Sequence, residues 1–343
     1  IYCNTISACE ELSDYKRASD WTDAARRWCE RQTIKGFPGM CRVHRATVIR
    51  FTGAWEEAER EARDAFDEVS DFRADYAAEA LYQLGEIRLS RGDLVDAGDA
   101  FRKAHDLGRE ANPGLALLHL AEGDVGAAAA SIKRGLAAER NPVSRARLLP
   151  AQVTIALAAG DRETASAAAS ELATISATYT TPALRAHAHD ARAAVALADG
   201  NAEGAVREFH EALALWREVG APYEEAMTRA ALGSAYRAGG DTEGGILELR
   251  AAQATFARLG AVLDERHVTE LLAETGDTTA QPRAVATRTF MFSDIVKSTE
   301  LVAAMGDEAW NEVLRWHDQA LRGLFARHGG EEIDHAGDGF FVG

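Results

Sequence analysis

One turn signal recurs along most of this chain and restricts its fold more than any other feature. Gly53-Ala54, Gly92-Asp93, Gly123-Asp124, Gly160-Asp161, Gly200-Asn201 and Gly240-Asp241 follow one another at steps of 39, 31, 37, 40 and 40 residues. Five residues after each glycine stands a small residue, in turn Ala58, Ala97, Ala128, Ala165, Ala205 and Gly245. A position that is always small marks a close approach between neighbouring helices. Larger apolar residues such as Phe66, Phe101, Phe209 and Leu249 return to the same helical face and are predicted core. Each glycine is expected to end one helix in a left-handed conformation, and the Asp or Asn after it to cap the next. The predicted unit is helix, turn, helix. Leu12-Ser13-Asp14-Tyr15-Lys16-Arg17-Ala18 fits one more copy, with Ala18 at the small position, giving seven units.

Helix pairs of this kind cannot bury their apolar faces alone, so they stack into a superhelix whose concave surface is expected to receive a peptide or another domain. The pattern over residues 1–275 resembles the tetratricopeptide repeat family in a degenerate, lengthened bacterial form. That resemblance implies an α-solenoid with an unknown protein or peptide as partner. Composition agrees: only 7% of the 343 residues are aromatic and alanine is abundant, which suits closely packed helices.

A formal net charge of -16 argues against a broad nucleic-acid-binding face, which needs clustered Lys and Arg. No apolar run approaches the roughly 20 residues that span a bilayer, and no signal segment opens the chain, so a cytoplasmic location without membrane contact is expected. All four cysteines (Cys3, Cys9, Cys29, Cys41) lie in the first repeat-like stretch without metal-site spacing, and read as small buried residues. His187 and His189, two residues apart on a helix, point to different sides and read as core or solvated histidines rather than metal ligands. The chain begins at Ile1 without methionine and stops at Gly343 in a strand-like run, so both ends are expected to lie inside a longer protein.

From Glu274 to Thr287 the sequence ETGDTTAQPRAVAT interrupts the helical pattern, and residues 276–287 read as a linker. Beyond it the periodicity changes. Thr289 to Ser293 is a short strand-like run ending at Asp294; Ser298-Thr299 starts a short helix broken at Gly306. Asp307 can cap a second helix carrying Trp310, Val313, Leu314, Leu321 and Leu324 on one face. Glu331 to His335 and Phe340 to Val342 read as strands around a turn at Ala336 to Gly339, which gives the order β, α, α, β, β.

FMFSDIVKST at 290–299, GDEAW at 306–310, HGGEE at 328–332 and HAGDGFF at 335–341 together resemble the opening half of a class III adenylate/guanylate cyclase domain. The expected fold is therefore mostly α: a tetratricopeptide-like solenoid over 1–275, followed over 288–343 by the first half of an α+β ferredoxin-like cyclase domain. The resemblance implies that Asp294 and Asp338 hold two divalent cations, Mg²⁺ or Mn²⁺, with the Ile295 carbonyl as a further ligand. It also implies that the turn Ile295, Val296, Lys297, Ser298, Thr299 presents backbone N–H groups to phosphates. Lys297 stands where the family often has glycine, and its charge also reads as solvated. The reaction implied is attack of a ribose 3′-hydroxyl on the α-phosphorus of a nucleoside triphosphate, with loss of pyrophosphate. These residues leave ATP against GTP open, and precedent in the bacterial subgroup favours ATP. The family also implies a homodimer through the cyclase domain, with this half inactive alone.

Gly329-Gly330-Glu331-Glu332-Ile333 looks like the GGEEF signature of diguanylate cyclases, but it follows a helix end rather than joining two strands. Two alternatives stand beside the enzyme: a non-catalytic repeat scaffold with a degenerate cyclase domain, and a transcription regulator, because the region around Trp28-Cys29-Glu30-Arg31 also resembles helical arrays of large bacterial activators.

Overall fold

The computed structural model describes residues 2–31, 39–274, 291–293, 295–296, 298–328, 330, 332–336 and 339–342. The chain forms two compact units, Ile1–Asp277 and Thr278–Gly343. The predicted linker at 276–287 lies outside the described residues. No helix among the described residues is long and apolar enough to cross a membrane.

Unit 1 is built of antiparallel helix pairs. The first three are α1 (Tyr2–Glu11) with α2 (Tyr15–Arg31), α3 (Gly39–Phe51) with α4 (Trp55–Val69), and α5 (Ala74–Arg91) with α6 (Leu94–Asp106). Next come α7 (Gly114–Ala121) with α8 (Val125–Ala138), and α9 (Pro142–Ala158) with α10 (Arg162–Thr178). The last two are α11 (Pro182–Ala198) with α12 (Ala202–Val219), and α13 (Pro222–Ala238) with α14 (Thr242–Leu259); α15 (Val262–Glu274) packs on α14. Seven pairs therefore stand among the described residues, as the turn signal predicts. The 31-residue step corresponds to the eight-residue α7.

The turn chemistry is that of a helix closed by a left-handed residue. At the sixth pair Gly200 adopts φ +82°, which lets the Asn201 N–H reach back five residues to the Ala196 carbonyl at 2.8 Å. The Asn201 side chain then accepts the Gly204 N–H at 2.9 Å and starts the next helix. Asp124, Asp161 and Asp241 cap in the same way. Asp93 departs from the expectation: its side chain makes no cap bond, and its backbone N–H alone closes the turn. In the added first copy Ser13 takes the glycine's place at φ +54°, and Asp14 caps α2 through the Arg17 N–H.

Every predicted small position is buried, with Ala18, Ala58, Ala97, Ala128, Ala165 and Ala205 at zero exposure. At the seventh pair the small position is itself a glycine: a Cβ on Gly245 would lie 2.9 Å from the Gly233 carbonyl oxygen, so α13 and α14 approach through two glycines. Phe101, Phe209 and Leu249 are core, whereas Phe66 is only half-buried against it. Cys9 and Cys41 are buried; the side chains of Cys3 and Cys29 lie outside the described residues.

The array coils until its late pairs meet its early ones. Phe51 and Tyr15 pack with Trp216, Leu215 and Ala183 of the sixth pair. Trp55 and Ile87 share a core with Leu249, Phe256 and Val268. The Thr181 hydroxyl donates to the Leu12 carbonyl at 2.8 Å across 169 positions of sequence. The concave surface expected to stand open is therefore partly occupied by the array's own later helices, because each pair adds a rotation and these are sufficient to bring the ends together.

Unit 2 has β1 (Met291–Ser293), α16 (Ser298–Met305), α17 (Asp307–His328), β2 (Glu332–Ala336) and β3 (Gly339–Val342). The strands form one antiparallel sheet in the order β1-β3-β2, with Ser293 opposite Phe340 and Ala336 opposite Gly339. Phe325, Phe340 and Val342 form its small core, with Leu321 packed against them. The face predicted for α17 needs correction. Trp310 is buried and Leu321 packs inward as expected, but Val313 and Leu324 are exposed, and the inward stripe gains Phe325, which was not expected there. Position 325 lies one residue further around the helix than the expected stripe, where it meets Phe340 edge-on at 5.4 Å between ring centroids.

Candidate functional site

Polar residues at helical spacing line the inner side of unit 1. On α5, Asp75, Tyr76, Glu79, Gln83 and Glu86 lie within one broad stripe, and each apolar neighbour of that stripe faces a core. With Glu10 and Glu11 of α1, Tyr15 of α2, His44 of α3 and Arg147 of α9, the part of the stripe from Asp75 to Gln83 walls a cavity of about 520 Å³. Such a volume lies within the range of pockets that hold small molecules or a few peptide residues.

The walls are held by internal pairs. Glu10 Oε2 lies 2.6 Å from His44 Nδ1; burial still pushes the Glu10 carboxyl upward against that bond. Burial also works to raise Glu79, but the Arg109 guanidinium bonded to it, together with the Arg147 charge and the Gln83 amide, outweighs burial and holds the carboxylate below its usual range. Arg109 lies over the Tyr82 ring at 4.2 Å, and the Tyr82 hydroxyl donates to Glu86. Arg147 makes no hydrogen bond or ion pair among the described residues, and its charge is balanced at a distance, first by Glu79.

A second group of polar residues lies where late pairs meet early ones. Arg50 is 3.2 Å from Glu86 and stacks over Phe51 at 4.5 Å. Glu224 is pushed up to about 7 by burial despite the neighbouring Arg50 charge. Asp190 is also pushed up to about 7 by burial, although it accepts the Trp216 indole N–H at 2.8 Å and the Thr228 hydroxyl at 2.9 Å. His187 lies against the Trp216 ring, and burial pulls it down to about 4; His189 Nδ1 instead meets Glu208 at 2.9 Å. The two histidines thus go to different neighbours.

Of the residues singled out in the second unit, Asp294, Lys297 and Asp338 lie outside the described residues, as does the side chain of Thr299. Val296 is exposed, and Ser298 opens α16. The Ser298 N–H donates to the Ile295 carbonyl at 3.2 Å, so this N–H is already engaged inside the turn and is not among those free to meet a phosphate. Gly330 closes the end of α17 through a bond to the Phe325 carbonyl, and β2 opens after it at Glu332; Gly329 and Glu331 lie outside the described residues.

Sequence reasoning passed over Arg50, Asp190, Glu224 and the α5 stripe. The spacing of Tyr76, Glu79, Gln83 and Glu86 was the available signal, since a polar stripe at helical period on an inner helix marks a lined surface as readily as a solvated one.

No family model and no curated protein matches the chain. Among solved structures, a tetratricopeptide repeat protein from Parabacteroides merdae is similar at 13% identity over 80% of this chain and 97% of that one, with a TM-score of 0.44. BtubC from P. vanneervenii is 20% identical over 61% of this chain and 91% of that one, at a TM-score of 0.41. The Cut9–Hcn1 hetero-tetramer of the APC/C is 13% identical over 77% of this chain and 48% of that one, at 0.49. The architecture is read from the helix pairs themselves. The chain is a helical-repeat protein built of antiparallel helix pairs. Likeness at this level identifies no ligand and no activity.

Proposed function

We propose that the chain is a non-catalytic interaction scaffold whose repeat array holds a protein or peptide partner at its inner cavity. The observation that carries this reading is the 520 Å³ polar cavity, left open in an array that has packed part of its inner side against itself. Repeat arrays present ligands to surfaces of this kind. Amide hydrogen exchange on the full chain, with and without peptide from a mixed-sequence library, tests it. Protection should appear in α1, α3, α5 and α9, and protection spread evenly or confined to unit 2 removes the reading.

A second reading is favoured by one observation in unit 2. The strand ending at Ser293 pairs with the strand starting at Gly339, within the order β, α, α, β, β. The residue after the first is Asp294 and the residue before the second is Asp338. As the start of a class III nucleotide cyclase, this unit would use Asp294, Asp338 and the Ile295 carbonyl to hold two divalent cations. Those ions would neutralise charge during cyclisation of ATP. The Ile295 carbonyl keeps a second lone pair beyond its bond from Ser298. In a longer protein carrying this unit, a homodimer would complete the site. Calorimetric titration of Mn²⁺ into the chain should show binding that D294A/D338A loses, and equal heats from both proteins would count against the cyclase reading.

A further inference from the structure

The cavity in unit 1 is chemically one-sided. Glu10, Glu11, Asp75, Glu79, Glu110 and Glu139 stand in its walls against Arg109, Arg147 and His44; Glu10 faces His44, Asp75 is held by Arg73 and Glu79 by Arg109, which leaves the acidic excess at Glu11, Glu110 and Glu139. Carboxylates alone do not make a site, but two further observations say what these walls lack. Gln83 is 1% exposed and lies in the wall; its amide nitrogen donates to Glu79 at 3.1 Å, while its carbonyl oxygen accepts nothing. Oε1 of Glu10 is likewise covered and accepts no hydrogen bond. Both orphaned atoms are acceptors, so what is missing is a donor.

An inorganic cation does not fit the need. Among the described residues no three His, Cys, Asp or Glu side chains converge closely enough to hold a metal ion. The carboxylates are instead spread along α1, α5 and the segments flanking α7 and α8, around a volume of about 520 Å³. A dispersed row of acceptors matches an extended organic cation, whose several N–H groups are separated along a chain, rather than a point charge.

We propose that this cavity binds a basic peptide segment of the partner, with Lys or Arg side chains directed at the orphaned oxygens of Gln83 and Glu10 and at the rim carboxylates Glu11 and Glu110. The inference rests on the reading of the array as a partner-binding scaffold and adds the chemistry of what it binds. Arg147 sets the selectivity: as the one guanidinium in the wall with no hydrogen-bond or ion-pair partner among the described residues, it repels a ligand carrying cations at every position and favours one with spaced charges.

Fluorescence anisotropy on the full chain tests this with three end-blocked, labelled hexapeptides: one with Lys and Arg spaced by neutral residues, one with Asp and Glu, and one uncharged. Spermidine serves as a free competitor. The basic peptide should bind saturably, and E11Q/E110Q should weaken it about tenfold, the equivalent of roughly 0.7 kcal/mol per rim charge. Both rim residues are exposed, and a glutamine in place of Glu110 still offers the oxygen that accepts from Asn112, so the fold is kept. Q83L, which removes the orphaned acceptor without touching net charge, should weaken the same peptide severalfold while leaving the far-ultraviolet circular dichroism unchanged. Binding of the acidic or uncharged peptide in preference to the basic one overturns the inference and leaves the scaffold reading standing. Spermidine binding as tightly as the peptide overturns the peptide assignment. Absence of binding by all three peptides overturns the inference together with the scaffold reading.

Discussion

Trp216→Ala is expected to destabilise unit 1 by about 3–5 kcal/mol, the range for emptying a large aromatic site in a packed core. Trp216 is 1% exposed and sits where Phe51 of the second pair meets Ala183, Ala186 and Leu215 of the sixth. Its loss removes packing from both sides of that contact and also takes away one of the two hydrogen bonds to Asp190, leaving Thr228 alone. Trp216→Phe separates the two effects, because it refills most of the volume but donates nothing to the carboxyl, and should cost about 1–3 kcal/mol. Urea unfolding followed by circular dichroism measures both. A loss under about 1 kcal/mol for the alanine variant would place Trp216 outside the core and contradict the closure of the array.

Arg50→Ala should cost about 3–5 kcal/mol at pH 8, because it strands carboxylates that a buried cation had compensated. Glu86 loses its cationic partner at 3.2 Å and keeps only the Tyr82 hydroxyl, and Glu224 loses the positive charge that offsets part of its burial. The effect carries a pH signature. Burial already raises folded Glu224 from 4.5 to about 7, so the folded state keeps a proton that the unfolded chain releases, and stability from this group is present at low pH and lost as pH rises through 7. Without Arg50 the carboxyl titrates higher still. The deficit of the variant should therefore be largest at pH 8 and shrink at pH 5, where Glu224 is neutral in both proteins. Equal deficits at the two pH values would show that Glu224 does not depend on Arg50.

What could be read in the sequence was local and periodic. A glycine, a capping Asp or Asn and a small residue five positions on are contained in one turn and the start of one helix, and each is chosen for a steric or hydrogen-bonding reason that needs no distant partner. Even Ser13 could be placed, because Asp14 and Ala18 keep the spacing. Contacts between pairs remote in sequence left no such trace. Leu12 and Thr181 carry nothing that announces their bond, and Arg50 and Glu224 look like ordinary solvated residues until the helices that bury them are brought together. In unit 2 the strand and helix order was legible from the switch in period. The face of α17 was misjudged by one residue because apolar residues surround most of that helix, and only the position of Phe340 decides which of them turns inward.

The meeting of early and late pairs also bears on how such a chain can change. An open repeat array tolerates gain or loss of a unit, since each contacts only its neighbours and the remaining ladder closes up. Here the seventh pair and α15 supply the side chains against which Trp55 and Ile87 pack. Adding or removing one pair between them would shift that match by a whole rotation and leave both surfaces bare, so the number of pairs from α4 to α15 is fixed by geometry. Variation within that span is therefore confined to substitutions within units and to changes of length inside a unit, of which the shortened α7 is the example already present.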